Sequence, residues 1–452
     1  MMRNLFAFLI FTGAASGQAV DYPCEASSSS YEALQQWREV WEDARLDFEQ
    51  RIRPLRATLE SRGDDIFLHR AYQDVFLNYV MLPHLETVVD EYKQLAEEHP
   101  ESTAYRYLYL RILVNWRTRE AMQGVESFPE TTPESPWAHL LRALLYQAPE
   151  FSDEEKVREE IEKFRVMCPA SLDAEPYRRF YGSQPAEFKR DVARSLRARI
   201  ESREDAQALN AYDFLWPLEF EGPPGGHTAL REQVARDLEK LRRRDDPPLG
   251  VLKHGYEITD DAEGARWVRE QMVARAPHAF PTADLVIRRW LSDRPRPNQE
   301  NSRERVRRHY LSLFEASSDW VERWPLYTAP WSLRFQALRE LRDEPAAELV
   351  SAGEGLLHAE AKNPSVYGVP PRVEVAEALV DRGVEFERAV ALATEQMDAV
   401  DRRVEVNRGP DPGFVPSFVV TATATSRERY SGKCTGFEYK GPLQARTLQK
   451  SE

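Results

Sequence analysis

Three cysteines among 452 residues, Cys24, Cys168 and Cys434, are too few for a disulfide-built scaffold, and no two of them form a C-x-x-C pair. That spacing serves zinc ribbons and dithiol redox centres, so the short motifs for both are absent. Three thiols allow one disulfide with one left over, and spacing alone does not choose the pair. Basic residues are also in deficit, with 61 Lys and Arg against 75 Asp and Glu and a net charge of −14. A surface of that sign repels phosphate polymers, so no nucleic-acid partner is expected. The cluster Arg242-Arg243-Arg244 is followed at once by Asp245-Asp246 and reads as a solvated helix end. Beyond the first twenty residues no run approaches the ~18 uninterrupted apolar residues of a membrane span.

Catalytic motifs are missing as well. The nine histidines (His69, His84, His99, His139, His227, His254, His278, His309 and His358) include no H-E-x-x-H and no carboxylate four residues on. Gly222 to His227 is glycine-rich but lacks the Lys-Ser/Thr that would hold nucleotide phosphates. Gly432-Lys433-Cys434-Thr435-Gly436 has the outline of a nucleophile elbow, yet no histidine follows His358 to serve as its base. Acidic pairs such as Asp64-Asp65 and Glu154-Glu155 stand where helices begin and complement the helix dipole there. No catalytic residue, metal or cofactor is therefore assigned.

What is present begins with a leader. Arg3 precedes the apolar run Leu5 to Phe11, and the small residues Gly13, Ala14, Ala15, Ser16, Gly17 and Ala19 follow. This is the layout of a secretory signal peptide, assigned to residues 1–19, and it predicts a periplasmic or extracellular protein with no anchor once the leader is removed. The compartment would permit the one disulfide.

The remaining pattern is helical. Leu34, Trp37, Trp41, Ala44, Phe48, Ile52, Leu55 and Leu59 recur at spacings of 3 and 4, the apolar stripe of one helical face, with Pro54 as the expected kink or break. Further helices are expected from Asp65 to Leu82, with Pro83 interrupting, and from Leu85 to Glu98. A phrase then repeats: Pro100-Glu101-Ser102-Thr103-Ala104, Pro133-Glu134-Ser135-Pro136-Trp137-Ala138 and Pro169-Ala170-Ser171-Leu172-Asp173-Ala174. In the first two, a proline closes one helix pair and a serine turn opens the next. Later echoes are a helix from Asp261 to Ala276, and Val373 to Arg382, Gly383, then Glu387 to Met397 as helix, tight turn, helix, rich in alanine for close approach. Trp320, Trp324 and Trp331 cluster around Pro325 and Pro330 and read as helix packing rather than a binding ledge.

Two helices per unit at a period of about 34 residues resembles the tetratricopeptide (TPR) family. Counting from Pro136, Ala143 and Tyr146 fall at that family's small and aromatic positions, and Ala121 at the small position of a second helix. The resemblance is degenerate and clearest over 85–175. It implies an all-α chain, a TPR-like α-solenoid of antiparallel helix pairs. Two helical blocks are expected, 31–221 and 227–408, separated near Gly222-Pro223-Pro224-Gly225-Gly226. Asp246-Pro247-Pro248, Arg294-Pro295-Arg296-Pro297 and Val369-Pro370-Pro371 read as loops. After Gly409-Pro410-Asp411-Pro412-Gly413 comes an irregular tail, 409–452, whose alternating segment 418–425 suits a strand.

TPR proteins hold peptides on the first helix of each unit, so the resemblance points to Tyr107, Arg111 and Asn115, one turn apart along a helix opening at Thr103, with Trp137 from the next unit. Arg111 would pair with a carboxylate, Asn115 with a peptide backbone, and Tyr107 would stack. The expected function is a non-catalytic scaffold holding a protein or peptide partner, with oligomeric state left open. Two other classes stand beside it. The chain is also similar to the helical N-terminal half of secreted thioredoxin-like proteins, which implies a divergent or truncated oxidoreductase relative without its C-x-x-C. A hydrolase of helical fold is the third.

Overall fold

The computed structural model describes residues 24–407 apart from positions 64, 80–81, 117, 128–134, 149, 170, 172–184, 204, 221–226, 294–302 and 365–370. The expected leader at 1–19, the expected tail at 409–452 with its strand 418–425, Cys434 and the expected loop at 222–226 lie outside the described residues.

The described chain is all-α, with nineteen helices and no strand among these residues. They are α1 (Ser28–Trp41), α2 (Phe48–Ser61), α3 (Ile66–Tyr79), α4 (Leu82–Glu98), α5 (Thr103–Trp116), α6 (Thr118–Glu126), α7 (Pro136–Leu145) and α8 (Glu154–Met167). Next come α9 (Ala186–Glu201), α10 (Ala206–Phe220), α11 (His227–Arg242), α12 (Leu249–Thr259), α13 (Ala262–Arg275) and α14 (Phe280–Ser292). The last five are α15 (Arg303–Arg323), α16 (Thr328–Glu340), α17 (Ala346–Lys362), α18 (Pro371–Arg382) and α19 (Phe386–Asn407). None is long and apolar enough to cross a membrane.

The local chemistry explains where helices begin. The serines of the repeated phrase act as caps: Ser102 Oγ accepts from the Tyr105 amide at 3.3 Å, and Ser135 Oγ from the Trp137 amide at 3.3 Å with Pro136 opening α7. Asp153 and Asp261 cap α8 and α13 in the same way. The first stripe, however, turns a corner. The chain leaves helix after Trp41 and re-enters at Phe48, where Asp47 and Gln50 form a reciprocal capping box. Pro54, the expected break, lies inside α2. Gly383 carries φ +69° between α18 and α19, a left-handed turn that suits glycine. Two amide bonds close it, Val384 to Leu379 O and Gly383 to Val380 O, both at 3.0 Å.

Consecutive helices pack as hairpins, notably α7 with α8, α9 with α10, α12 with α13, α15 with α16 and α18 with α19. Alternate helices also touch: α1 with α3, α3 with α5, α5 with α7, and α10 with α12. One buried cluster runs from Trp37 to Met272, so the interior is continuous past positions 221–226, with Trp216, Val234, Leu238 and Leu252 in the same packing. A second cluster gathers α16 to α19, including Phe335, Leu349, Leu356, Leu379 and Leu392. The third holds Ala283, Ile287, Leu313, Trp320, Trp324 and Ala337 with Ala44 from the α1–α2 corner. Trp320 and Trp324 are thus core residues, and Trp331 packs on Gly355, where an added Cβ would stand 2.3 Å from its ring.

The first hairpin reaches across the molecule. At one end Cys24 is disulfide-bonded to Cys168, with 5.4 Å between Cα atoms, Glu25 pairs with Arg203 at 2.8 Å, and Tyr31 bonds Asn210. At the other end the corner joins the start of α14, the Ala44 amide bonding His278 O at 2.9 Å and the Phe280 amide bonding Glu42 O at 2.8 Å. Arg51 completes the join. Its guanidinium lies 4.4 Å from the Trp41 ring centre and 4.9 Å from that of Phe280, and donates to Asn363 Oδ1 at 2.7 Å. Asn363 donates in turn to Leu46 O and Leu326 O.

Candidate functional site

Helix α5 carries the positions that the sequence singles out, and the structure places most of them inside. Tyr107, Arg111 and Trp137 are each 2% exposed. Tyr107 and Trp137 do come together, with ring centres 5.2 Å apart, and Phe67, Phe164 and the Arg70 guanidinium complete the packing around the indole. Arg111 donates to Gln73 Oε1 at 3.0 Å and to Asp74 Oδ1 at 2.6 Å, both on α3. Gln73 donates onward to Leu108 O at 2.9 Å. The carboxylate expected from a partner is supplied by the neighbouring helix. Asn115 lies in α5, and its side chain is outside the described set.

A different face of α5 meets solvent. Roughly a third of a turn round the helix, Arg106, Tyr109 and Leu110 line a cleft of about 310 Å³ with Lys93, Ala96, Glu97 and Pro100 from α4 and its following turn, and Gly124 from α6. Ala96 supplies apolar wall, and Leu110, only 3% exposed, forms the floor. Lys93 and Glu97 pair at 4.0 Å on α4, and Tyr109 donates to Glu120 at 2.9 Å. Arg106 is held by Ser127, donating to its Oγ at 2.7 Å and its carbonyl at 3.0 Å. Gly124 permits the close approach of α6, because a Cβ there would sit 2.3 Å from Leu110 Cδ2. The cleft has both charge signs on its rim and hydrocarbon within, a surface suited to a short amphipathic segment of chain.

Buried ionisable groups pair with one another across neighbouring helices. His139, fully buried on α7, meets Glu160 of α8 at 2.6 Å, and Lys163 approaches the other carboxylate oxygen at 3.2 Å. Burial works to raise the Glu160 pKa, but the bonds and charges of His139 and Lys163 outweigh it and hold the group below the usual range. Arg197 grips Glu219 through two bonds of 2.6 Å and reaches Asp237 at 3.0 Å, where Trp216 Nε1 also donates at 3.2 Å. Next to this cluster, burial and then the Asp237 charge push the Tyr212 hydroxyl up to about 12. His69 Nε2 lies 2.8 Å from Gly63 O, so the proton sits on Nε2 and Nδ1 faces the Tyr92 hydroxyl at 2.8 Å. Among the described residues no three His, Cys, Asp or Glu side chains gather as a metal site.

No family model, curated protein or solved structure matches this chain. The cleft rests on geometry alone. Nothing in the sequence marked Lys93, Arg106 or Tyr109. The nearest signal is Gly124, a glycine within a helix, where a close neighbour is the physical reason to tolerate its cost.

Proposed function

We propose that this chain is a non-catalytic, exported scaffold of TPR-like helix pairs that holds a protein partner by a short peptide segment in the α4–α5–α6 cleft. The observation that carries the reading is the cleft itself: hydrocarbon from Ala96, Pro100 and Leu110, a phenol at Tyr109, and Lys93, Glu97 and Arg106 at the rim. Apolar contact gives affinity, and the paired charges set register and direction. The leader at 1–19 and the alternate-helix packing of α1, α3, α5 and α7 support the rest of the reading.

The test is site-specific photo-crosslinking in cells making the full chain. A photoreactive amino acid replaces Tyr109 or Ala96 in the cleft, or Arg236 on the exposed side of α11 as the control. The expected result is one discrete adduct, fractionating with exported protein, from Tyr109 and Ala96 only. Equal adducts from Arg236, or none from the cleft, would overturn the reading.

A further inference from the structure

The packed interior divides between α13 and α14. The first buried cluster ends at Met272 of α13, and the third resumes at Ala283 of α14. Phe314 packs against both later clusters, so α14 to α19 form one body and α1 to α13 another. Four residues, Ala276-Pro277-His278-Ala279, connect them. Helix α14 touches α13 far less than α12 does. Apolar contact across the seam comes from Ala44, which enters the third cluster, and Leu285, which leans on the first. The polar contacts gather at the α1–α2 corner. Residues 42–44 pair with the connection itself, through the Ala44 amide to His278 O and the Phe280 amide to Glu42 O. The end of α17 reaches the same corner. Asn363 accepts from Arg51 at 2.7 Å and donates to Leu46 O at 3.2 Å, and Lys362 stands 3.7 Å from Asp47. Thr282 adds a long bond to Met272 O at 3.4 Å. Bodies joined by polar contacts and few apolar side chains move relative to one another.

We propose that α14–α19 swing as one body about the connection at 276–279, and that Arg51 and Asn363 form the latch that holds the closed position. Pivot and latch differ in kind. The pivot is covalent and paired to the corner by backbone bonds, and a few loop and helix-end residues absorb the turn. Ala44 lies at this pivot, next to His278 O, and is displaced little by rotation there. The latch is made of side chains. In the closed position the Arg51 guanidinium sits between the Trp41 and Phe280 rings, with the residue 7% exposed. Taking that charge out of water offsets part of what its bonds and ring contacts supply, so the open and closed positions lie close in free energy. Opening returns Arg51, Asn363, Asp47 and Lys362 to water and leaves the core of each body whole. The swinging unit therefore begins at α14, later in the chain than the glycine-rich stretch at 222–226.

The experiment measures distances between spin labels by double electron–electron resonance, in the full chain with Cys434→Ser and the Cys24–Cys168 bond intact. Labels on Arg236→Cys of α11 and Ser351→Cys of α17, both exposed positions, report across the seam. Labels on Glu126→Cys and Arg236→Cys report within the first body. Ser351 stands about 18 Å along α17 from the latch, so a swing displaces it. With the latch intact the cross-seam pair should give one dominant distance. Asn363→Ala removes the acceptor of Arg51 and the donor to Leu46 O. It should raise the population of a second cross-seam distance about tenfold and leave the within-body distance as it was. Cross-seam distances that do not change, or within-body distances that spread as much, would overturn the proposal. Hydrogen exchange gives an independent reading. The Ala44 and Phe280 amides should stay as protected in Asn363→Ala as in the parent chain. Loss of their protection would mean that the seam parts as a whole rather than turning on a pivot, and would also overturn it.

Discussion

The Cys24–Cys168 bond gives the most direct test of the fold. It closes a loop of 144 positions that contains α1 to α8. By the chain-entropy relation, a loop of that size restricts the unfolded ensemble by roughly 5 kcal/mol at 25 °C. The perturbation of choice is Cys24→Ala, because Cys168 is 1% exposed and its free thiol remains an acceptable buried small group. The Glu25–Arg203 and Tyr31–Asn210 contacts stay in place, so the native helices should persist. Urea unfolding should be followed by the fluorescence of single-tryptophan variants, since a chain of this length need not unfold in one step. Trp37 and Trp137 lie inside the loop and Trp324 outside it. The expected outcome is a fall of about 3–5 kcal/mol in the transition seen by Trp37 and Trp137, with a smaller change at Trp324. A non-reducing peptide map should show Cys24 joined to Cys168 and Cys434 open to alkylation. A loss below about 1 kcal/mol, or a map joining Cys434 to either partner, would refute the reasoning.

Arg197→Ala should cost about 3–5 kcal/mol in urea unfolding, because it strands the carboxylates of Glu219 and Asp237, each with only 9% of its side chain exposed. Arg197→Lys should fall between, keeping charge but losing the two-pronged grip. Glu160 titrates below its reference value of 4.5 when folded. Its contribution is therefore whole above the unfolded-state pKa and is lost as pH falls through the folded one; Glu160→Gln should flatten the Tm-against-pH curve below about pH 4.5. Gly255→Ala should destabilise by about 1–3 kcal/mol in the same urea assay, since its Cβ would meet the Trp216 ring at 2.5 Å and Leu238 at 2.6 Å.

Much of the helical pattern was legible because local signals agreed: spacings of 3 and 4, serines before helix starts, and Gly383 in its turn. The corner at 42–47 was not. Trp37, Trp41, Ala44 and Phe48 continue the helical interval across it, since both helices face packed interior while the backbone between them reverses. The Asp47–Gln50 box was the one local mark of the break. The cysteine partners depend on a contact across 144 positions, which no spacing rule encodes. The burial of one face of α5 was hidden for a related reason. Tyr107 and Arg111 share a stripe that sequence alone reads as open, yet Asp74 and Gln73 of α3 answer the guanidinium and draw it inward. Arg106 and Tyr109 become visible as cleft residues only once α4 and α6 are in place.

The bond between Arg51 and Asn363 spans 312 positions, and that has a consequence for the order of events during synthesis. At ordinary ribosomal speed, roughly 15–60 s separate the appearance of the two residues. Throughout that interval the α1–α2 hairpin exists without its distant acceptor, and for most of it without the Phe280 ring that packs on the Arg51 guanidinium. The α1–α2 hairpin is thus made well before it can settle, and a nascent fragment ending before Asn363 should be an easier substrate for proteases and holding chaperones than its length would suggest.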